Sequence, residues 1–150
     1  MDNSAIVAAL RSQQPSDAKP PVKMWYGKEE RTPYPSELDF FKKNVHVAGM
    51  ASEDNRIVMN PYSPLTENEL NSVRMNEAAR LHMREVAPPD FELTDEQSRA
   101  LGGSYYANAS NADRSATIAA RILSGDPSAG APTPRQLEYV RQLRERMGIK

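Results

Sequence analysis

The apolar positions of this chain repeat mostly with the spacing of α-helices, and prolines stand in the gaps between the repeats. Because proline fixes φ and lacks an N–H donor, it breaks a helix from within and marks its ends. The prolines therefore divide the chain into segments that can be interpreted one by one. The pattern predicts a mainly α protein, a small irregular body of about five or six helices with long proline-rich loops and an extended N-terminal arm.

Capping residues locate most of these helices. A Ser or Thr stands three residues before an acidic residue or a glutamine, so that the side chains can satisfy N–H groups at the helix start. The predicted helices are 36–44, 67–86, 94–101, 134–147 and one from Ser110 to the glycine at 125. A further short helix is predicted over 4–13. Residues 45–64 alternate short apolar groups with turn residues, which predicts an ordered irregular loop with one short strand at 56–59.

The helix over 67–86 is apolar on two sides. One side carries Leu70, Val73, Ala78 and Leu81, and the other carries Met75, Ala79, His82, Met83 and Val86. A helix of this kind must bury both faces, so we expect it to be central. It lies either between other elements of its own chain or between its chain and another.

The sequence predicts that the first 35 residues form an extended N-terminal arm. Residues 1–35 combine the short helix with a proline-rich tether, and residues 36–150 form the helical body. Trp25 and Tyr26 stand in the tether, where a solvated aromatic pair would be unfavourable. Large aromatic side chains are preferred anchors in the pockets of a partner. The alternative is that Trp25 folds back over the core of its own chain.

Composition narrows the possible functions. The chain has 19 Lys and Arg residues, 20 Asp and Glu residues and no cysteine. Disulfides and thiol catalysis are excluded, and the balanced charge gives no overall attraction to nucleic acid or anionic lipid. Apolar runs are shorter than the ~20 residues that span a bilayer. The chain has no nucleophile elbow, phosphate-binding loop or paired-histidine zinc motif, so we expect no enzymatic activity, no cofactor and no metal.

Two residues of the long helix are candidates for chemistry. Glu77 falls inside an apolar stripe, and a buried carboxylate needs a partner, so we predict a structural ion pair with Arg74 or Arg80. The alternative is a catalytic acid with a raised pKa. His82 is expected to be a packed or interfacial side chain, because a metal site in a helical bundle would need a second Glu-x-x-His motif that the chain lacks.

The last predicted helix is basic. Arg141, Arg144 and Arg146 are possible phosphate contacts, although their excess over acidic residues is small and no aromatic residues alternate with them. The alternatives are a solvated face with a favourable cationic end, or a contact with the acidic middle of a sister subunit.

Several runs of the sequence resemble a family of small uncharacterised proteins encoded by tailed bacteriophages, chiefly short-tailed ones. The runs are 31–34, 37–41, 47–51, 53–63 and 120–130, and the likeness excludes residues 1–23. The resemblance implies a virion component or assembly factor, made in the host cytoplasm and present in multiple copies per particle, with portal, adaptor or tail proteins as partners. It carries no catalytic motif.

These observations lead to the expectation of a non-enzymatic virion structural protein. It would dock on a ring-shaped head, head-to-tail or tail assembly and bridge neighbouring subunits, with no membrane contact and nucleic acid an improbable partner. The expected partner contacts are Trp25, Tyr26, Met75, His82 and Met83. The alternative function is a small soluble regulator that binds a host or phage protein, or binds nucleic acid through its basic C-terminal helix.

Overall fold

The computed structural model describes residues 22–89, 91–102 and 105–150 and contains one four-stranded sheet in this part of the chain. The strands are β1 (Lys23–Trp25), β2 (Lys28–Arg31), β3 (Gly49–Ala51) and β4 (Ile57–Met59), in the order β1-β2-β4-β3. The β1–β2 and β3–β4 pairs are antiparallel, and β2 runs parallel to β4. Within the described residues, β1 and β3 are therefore the two edges of the sheet.

The described part of the chain also contains five α-helices. They are α1 (Pro35–Lys43), α2 (Glu67–Glu85), α3 (Asp95–Leu101), α4 (Asn111–Leu123) and α5 (Pro134–Met147), with short 3₁₀ turns at Tyr105–Asn108 and Pro127–Ala129. All five lie where the capping residues and prolines predict them, with ends displaced by a residue or two. The predicted helix over 4–13 lies outside the described residues.

The predicted start of α1 is wrong by one residue. The helix begins after Tyr34 rather than at Ser36, because Glu37 reaches back and accepts a hydrogen bond of 2.8 Å from the Tyr34 N–H. Arg31 holds the same carboxylate with two bonds of 2.8 and 2.9 Å. The cap thus depends on an arginine in a strand that the helical pattern did not predict.

The predicted fold class is corrected from mainly α to mixed α and β. Residues 23–31, placed in the tether by the sequence pattern, form the hairpin β1–β2. Tyr26 and Gly27 make its turn with φ angles of 54° and 83°, the left-handed values of a two-residue hairpin loop. β1 has only three residues and the four residues of β2 are all charged, so neither strand shows the alternation that predicts a half-buried strand. The predicted strand at 56–59 is confirmed as β4, but the prediction of a single strand in residues 45–64 is wrong, because β3 lies in the same segment and pairs with β4.

The core forms around α2, as its two apolar faces indicate. This helix contacts the sheet through β1, β3 and β4 and contacts α4 and α5 as well. Its own neighbours account for both faces, so the described chain satisfies the first of the two arrangements left open above. The largest fully buried apolar side chains come from the sheet and from all five described helices: Phe41, Ile57, Val58, Leu81, Leu101, Ile118 and Leu143.

A buried asparagine orders the loop that the sequence describes as irregular. Asn60 is 3% exposed and follows β4. Its amide donates a 2.8 Å hydrogen bond to the Val47 carbonyl, and its side-chain oxygen accepts one of 2.8 Å from the Tyr62 N–H. These bonds replace the regular pairing that a loop lacks.

Candidate functional site

A groove runs along α2 between the outer edge of β3 and the start of α4. Its larger hollow encloses about 610 Å³, and a second hollow of about 340 Å³ continues it along the helix. Both hollows include Gly49 and Glu77. We call this feature the β3 groove. It is lined by Gly49, Met50 and Ala51 on one wall, by Ala112, Asp113 and Ala116 on the other, and by Val73, Glu77, Arg80 and Arg84 along its floor.

Gly49 allows α2 to approach β3 closely. A Cβ atom at this position would lie 3.0 Å from Met59 Sδ and 3.0 Å from Val73 Cγ1, which is closer than side-chain carbons pack. The absence of a side chain therefore brings the strand edge and the helix together and sets the depth of the β3 groove at this point.

The outer edge of β3 has unpaired backbone groups. The bonds from Ser52 N–H to the Arg56 carbonyl and from Asn60 N–H to the Ala48 carbonyl, both 2.9 Å, fix the β3–β4 register. In an antiparallel pair the bonding direction alternates, so Gly49 and Ala51 turn their N–H and C=O groups away from β4. In the described chain, the N–H and C=O of Gly49 and the N–H of Ala51 have no hydrogen-bond partner.

Arg84 covers one end of this edge. Its guanidinium donates hydrogen bonds of 2.7 Å to the Ala51 carbonyl and 2.5 Å to the Ser52 carbonyl. Charged side chains at a strand edge oppose uncontrolled pairing with other chains. The open part of the edge is thereby confined to Gly49 and the N–H of Ala51.

Glu77 lies on the floor of the groove without the predicted ion pair. No nitrogen of Arg74 or Arg80 lies within 4.0 Å of its carboxylate. Arg74 instead pairs with Glu30 at 3.0 Å, while Arg80 donates 3.1 Å to the Asn76 side chain. Burial raises the pKa of Glu77 above its ordinary value, and the nearby charges of Arg80 and Arg84 act in the opposite direction.

Trp25 and Tyr26 pack against the core of their own chain, the alternative that the sequence left open for Trp25. The Arg74 guanidinium lies 4.6 Å from the centroid of the Trp25 ring, a cation–π contact. The Tyr26 carbonyl accepts a 2.8 Å hydrogen bond from His82 Nε2. Both residues are partly buried, and their contacts dock the hairpin on α2.

The other expected partner contacts also belong to the interior. His82 and Met83 are each 5% exposed, and Met75 is half-buried against the core. Burial lowers the pKa of His82, which favours the neutral ring, and the bond to Tyr26 places its proton on Nε2. Of the five expected contacts, Met83 also lines the β3 groove, whereas the other four do not.

A charged cluster that the sequence did not reveal joins β2, α2 and α5. Glu85 accepts hydrogen bonds of 2.5 Å from Lys28 Nζ and 2.6 Å from Arg146. These two cations lower the pKa of Glu85 and keep it ionised. The three residues are far apart in sequence and carry no motif, so no local signal could have predicted the cluster.

The basic C-terminal helix is engaged internally. Arg141 pairs with Glu138 at 2.6 Å and with Glu145 at 3.1 Å. Arg144 donates 2.8 Å to the Lys150 carbonyl, and Arg146 is held by Glu85. The three arginines named as possible phosphate contacts thus each have a partner within the chain.

Comparisons of the chain with protein-family models, curated proteins and solved structures found no match. The resemblance to bacteriophage proteins therefore stays a prediction from the sequence. Among the described residues, no three His, Asp or Glu side chains are grouped as ligands of a metal ion. None of the described helices has the length and hydrophobicity of a membrane span.

Proposed function

We propose that this protein is a non-enzymatic structural component of a bacteriophage virion. It docks on a ring-shaped assembly of the head, the head-to-tail junction or the tail, where it bridges neighbouring subunits. Portal, adaptor or tail proteins are the proposed partners. The proposal takes the class of particle from the sequence resemblance and the mode of contact from the surface of the fold.

The observation that carries the proposal is the position of the exposed large apolar side chains. Val22 and Met24, at the β1 edge, are 59% and 57% exposed. A second group lies around Asn60, whose side chain bonds to carbonyls at the end of α1 and to the Tyr62 N–H. There Phe40, Val45 and Tyr62 are 44%, 46% and 45% exposed.

These two apolar surfaces lie apart on the molecule. The Asn60 loop flanks β3 and β4, whereas β1 forms the opposite edge of the sheet. Exposed apolar groups gathered at an edge favour contact with another protein. Two such surfaces on different sides allow one copy to contact two neighbours by unlike patches, the arrangement that closes into rings.

The proposal is tested by mass spectrometry of purified phage particles. Recovery at a fixed copy number relative to the portal or tail proteins is expected. Absence from particles, together with a stable complex between this chain and a host or phage protein in infected cells, would support the regulator instead.

Substitutions on the two surfaces sharpen the test. Met24→Glu and Phe40→Glu place a charge in each proposed contact, and both residues are exposed enough to accept it without unfolding. We expect each variant to be folded but depleted from particles. Leu137→Glu is the matched control, because Leu137 is 50% exposed on α5 and belongs to neither surface. Normal incorporation of both surface variants would contradict the proposed mode of docking.

A further inference from the structure

We propose that the β3 groove binds an extended segment of a partner protein, which adds a strand to β3 and places a Lys or Arg side chain between Glu77 and Asp113. This inference rests on the proposed structural role and names the chemistry of one partner. None of the residues that line the groove belongs to the two apolar surfaces described above.

The open backbone groups of β3 can pair with an added strand. Gly49 presents both an N–H donor and a C=O acceptor outward, and Ala51 presents a second N–H. An extended peptide satisfies this spacing with its own backbone, as in other cases of strand addition to a sheet edge. Such pairing is independent of side chains, so specificity must come from the groove floor and the opposite wall.

The shape of the groove leaves room for that strand. Ala112 and Ala116 line the wall contributed by α4, where larger side chains would fill the space beside β3, and Tyr106 stands at the same hollow over Arg80. Along the floor, the hollows extend from Arg84 to Ser72 on α2. With about 1.5 Å of rise per helical residue, this length matches a strand of about five residues.

The charges select a basic side chain. Arg84 donates to the Ala51 and Ser52 carbonyls and Arg80 to the Asn76 side chain, so neither guanidinium is hydrogen-bonded to Glu77 while both charges act on it from a distance. Glu77 makes no hydrogen bond or ion pair in the described chain, and burial raises its pKa. Asp113 adds a second carboxylate from the opposite wall.

A Lys or Arg side chain at this position therefore satisfies groups that the chain leaves unpaired. A charge-assisted hydrogen bond to a partly buried carboxylate contributes roughly 1.5–3 kcal/mol, which corresponds to a preference of about tenfold or more over an uncharged side chain.

The experiment uses the full-length protein and a positional-scanning library of acetylated, amidated heptapeptides. Their background alternates Val and Thr, and each position in turn carries all twenty residues. We expect one position to prefer Lys or Arg over Glu by about tenfold or more. The best peptide should also slow hydrogen exchange at the Gly49 and Ala51 amides.

Two variants and one modified peptide locate the contact. Glu77→Gln should remove most of the Lys preference, and Ala112→Trp should abolish binding by filling the groove from an exposed position. Leu137→Trp, an equally bulky change at an exposed site on α5, should bind like the wild type. A peptide N-methylated at the residue opposite Gly49 should not bind, because it lacks the required donor.

The inference is overturned if no position of the library favours a basic residue, or if Glu77→Gln leaves the preference unchanged. It is also overturned if the protein self-associates and Ala112→Trp makes it monomeric, since the groove would then belong to a second copy. Recovery of the protein in particles is measured independently, so the groove can fail while the structural role stands.

Discussion

Gln97 and Gln136 exchange two side-chain hydrogen bonds of 2.7 and 2.9 Å, and both residues are fully buried. Each is also the third residue of its helix and accepts a bond from the backbone N–H at the helix cap, Thr94 for α3 and Thr133 for α5. The starts of two helices are thereby linked through a pair of amides in the core.

The double variant of this pair should lose less free energy of unfolding than the sum of the losses in the two single variants. Gln97→Leu leaves the Gln136 N–H group buried without an acceptor and removes a cap, so we expect a loss of about 3 kcal/mol in the free energy of unfolding. Gln136→Leu should behave alike. The double variant orphans neither amide, and urea denaturation should show a coupling of about 1–2 kcal/mol. Strict additivity would contradict this account.

The contact between Arg74 and Trp25 should hold the hairpin against α2. Arg74→Met leaves Glu30 in a half-buried site without its partner and removes the cation–π contact. We expect a loss of about 3 kcal/mol and a red shift of the fluorescence of Trp25, the single tryptophan. Arg74→Lys should give an intermediate result. The double change Arg74→Met, Glu30→Gln should recover part of the stability, and no recovery would exclude the stranded carboxylate as the cause.

His82 should make stability depend on pH near neutrality. Its pKa is lowered in the folded state by burial, with Lys28 and Arg146 adding to the effect, while the Tyr26 carbonyl and Glu85 oppose it. The unfolded chain therefore binds the proton more readily, and stability falls as pH drops below the ordinary histidine value of about 6.5. Above that value the stabilisation is fully present.

The control for this prediction is His82→Gln, whose amide can still donate to the Tyr26 carbonyl. Chemical denaturation at several pH values between neutrality and the carboxylate range should show a decline in the wild type and a flatter profile in the variant. Parallel profiles for the two proteins would assign the pH dependence to other groups.

A side chain at position 49 should destabilise the fold. Gly49→Ala places a carbon against Met59 and Val73, and we expect a loss of about 2 kcal/mol in thermal or urea unfolding, the usual cost of overpacking. Adding Val73→Ala should restore part of it by making room. For comparison, Gly125 has a φ of 72° and open space around it, so Gly125→Ala should cost about 1 kcal/mol through backbone strain alone.

The basic helix should contribute little to nucleic-acid binding. Arg141 pairs with Glu138 and Glu145, and its hydrogen bond lowers the pKa of Glu138 to about 2, so two neighbouring carboxylates offset the charge of this guanidinium. Arg141→Glu combined with Arg144→Glu should leave the affinity for duplex DNA and its salt dependence unchanged. A marked fall in both quantities would return the nucleic-acid alternative to consideration.

The sequence by itself placed the five described helices to within a residue or two of their observed ends. The predicted segment 134–147 and the observed α5 coincide, because a threonine cap, a proline at the first position and a glutamine at the third act within one turn of the chain. Residues within one turn of the helix end decide such boundaries, so they can be predicted from the sequence. The same reading identified α2 as central, since its two apolar faces demand two neighbours.

Only the tertiary structure decided which side chains meet. Trp25 lies on its own core rather than on a tether, because β1 and β2 gain their stability from pairing with each other and with β4. Glu77 lacks its predicted partner because Arg74 is drawn to Glu30, which is 44 residues away in the chain. Contacts of this kind depend on the packing of distant segments, which no pattern of neighbouring residues encodes.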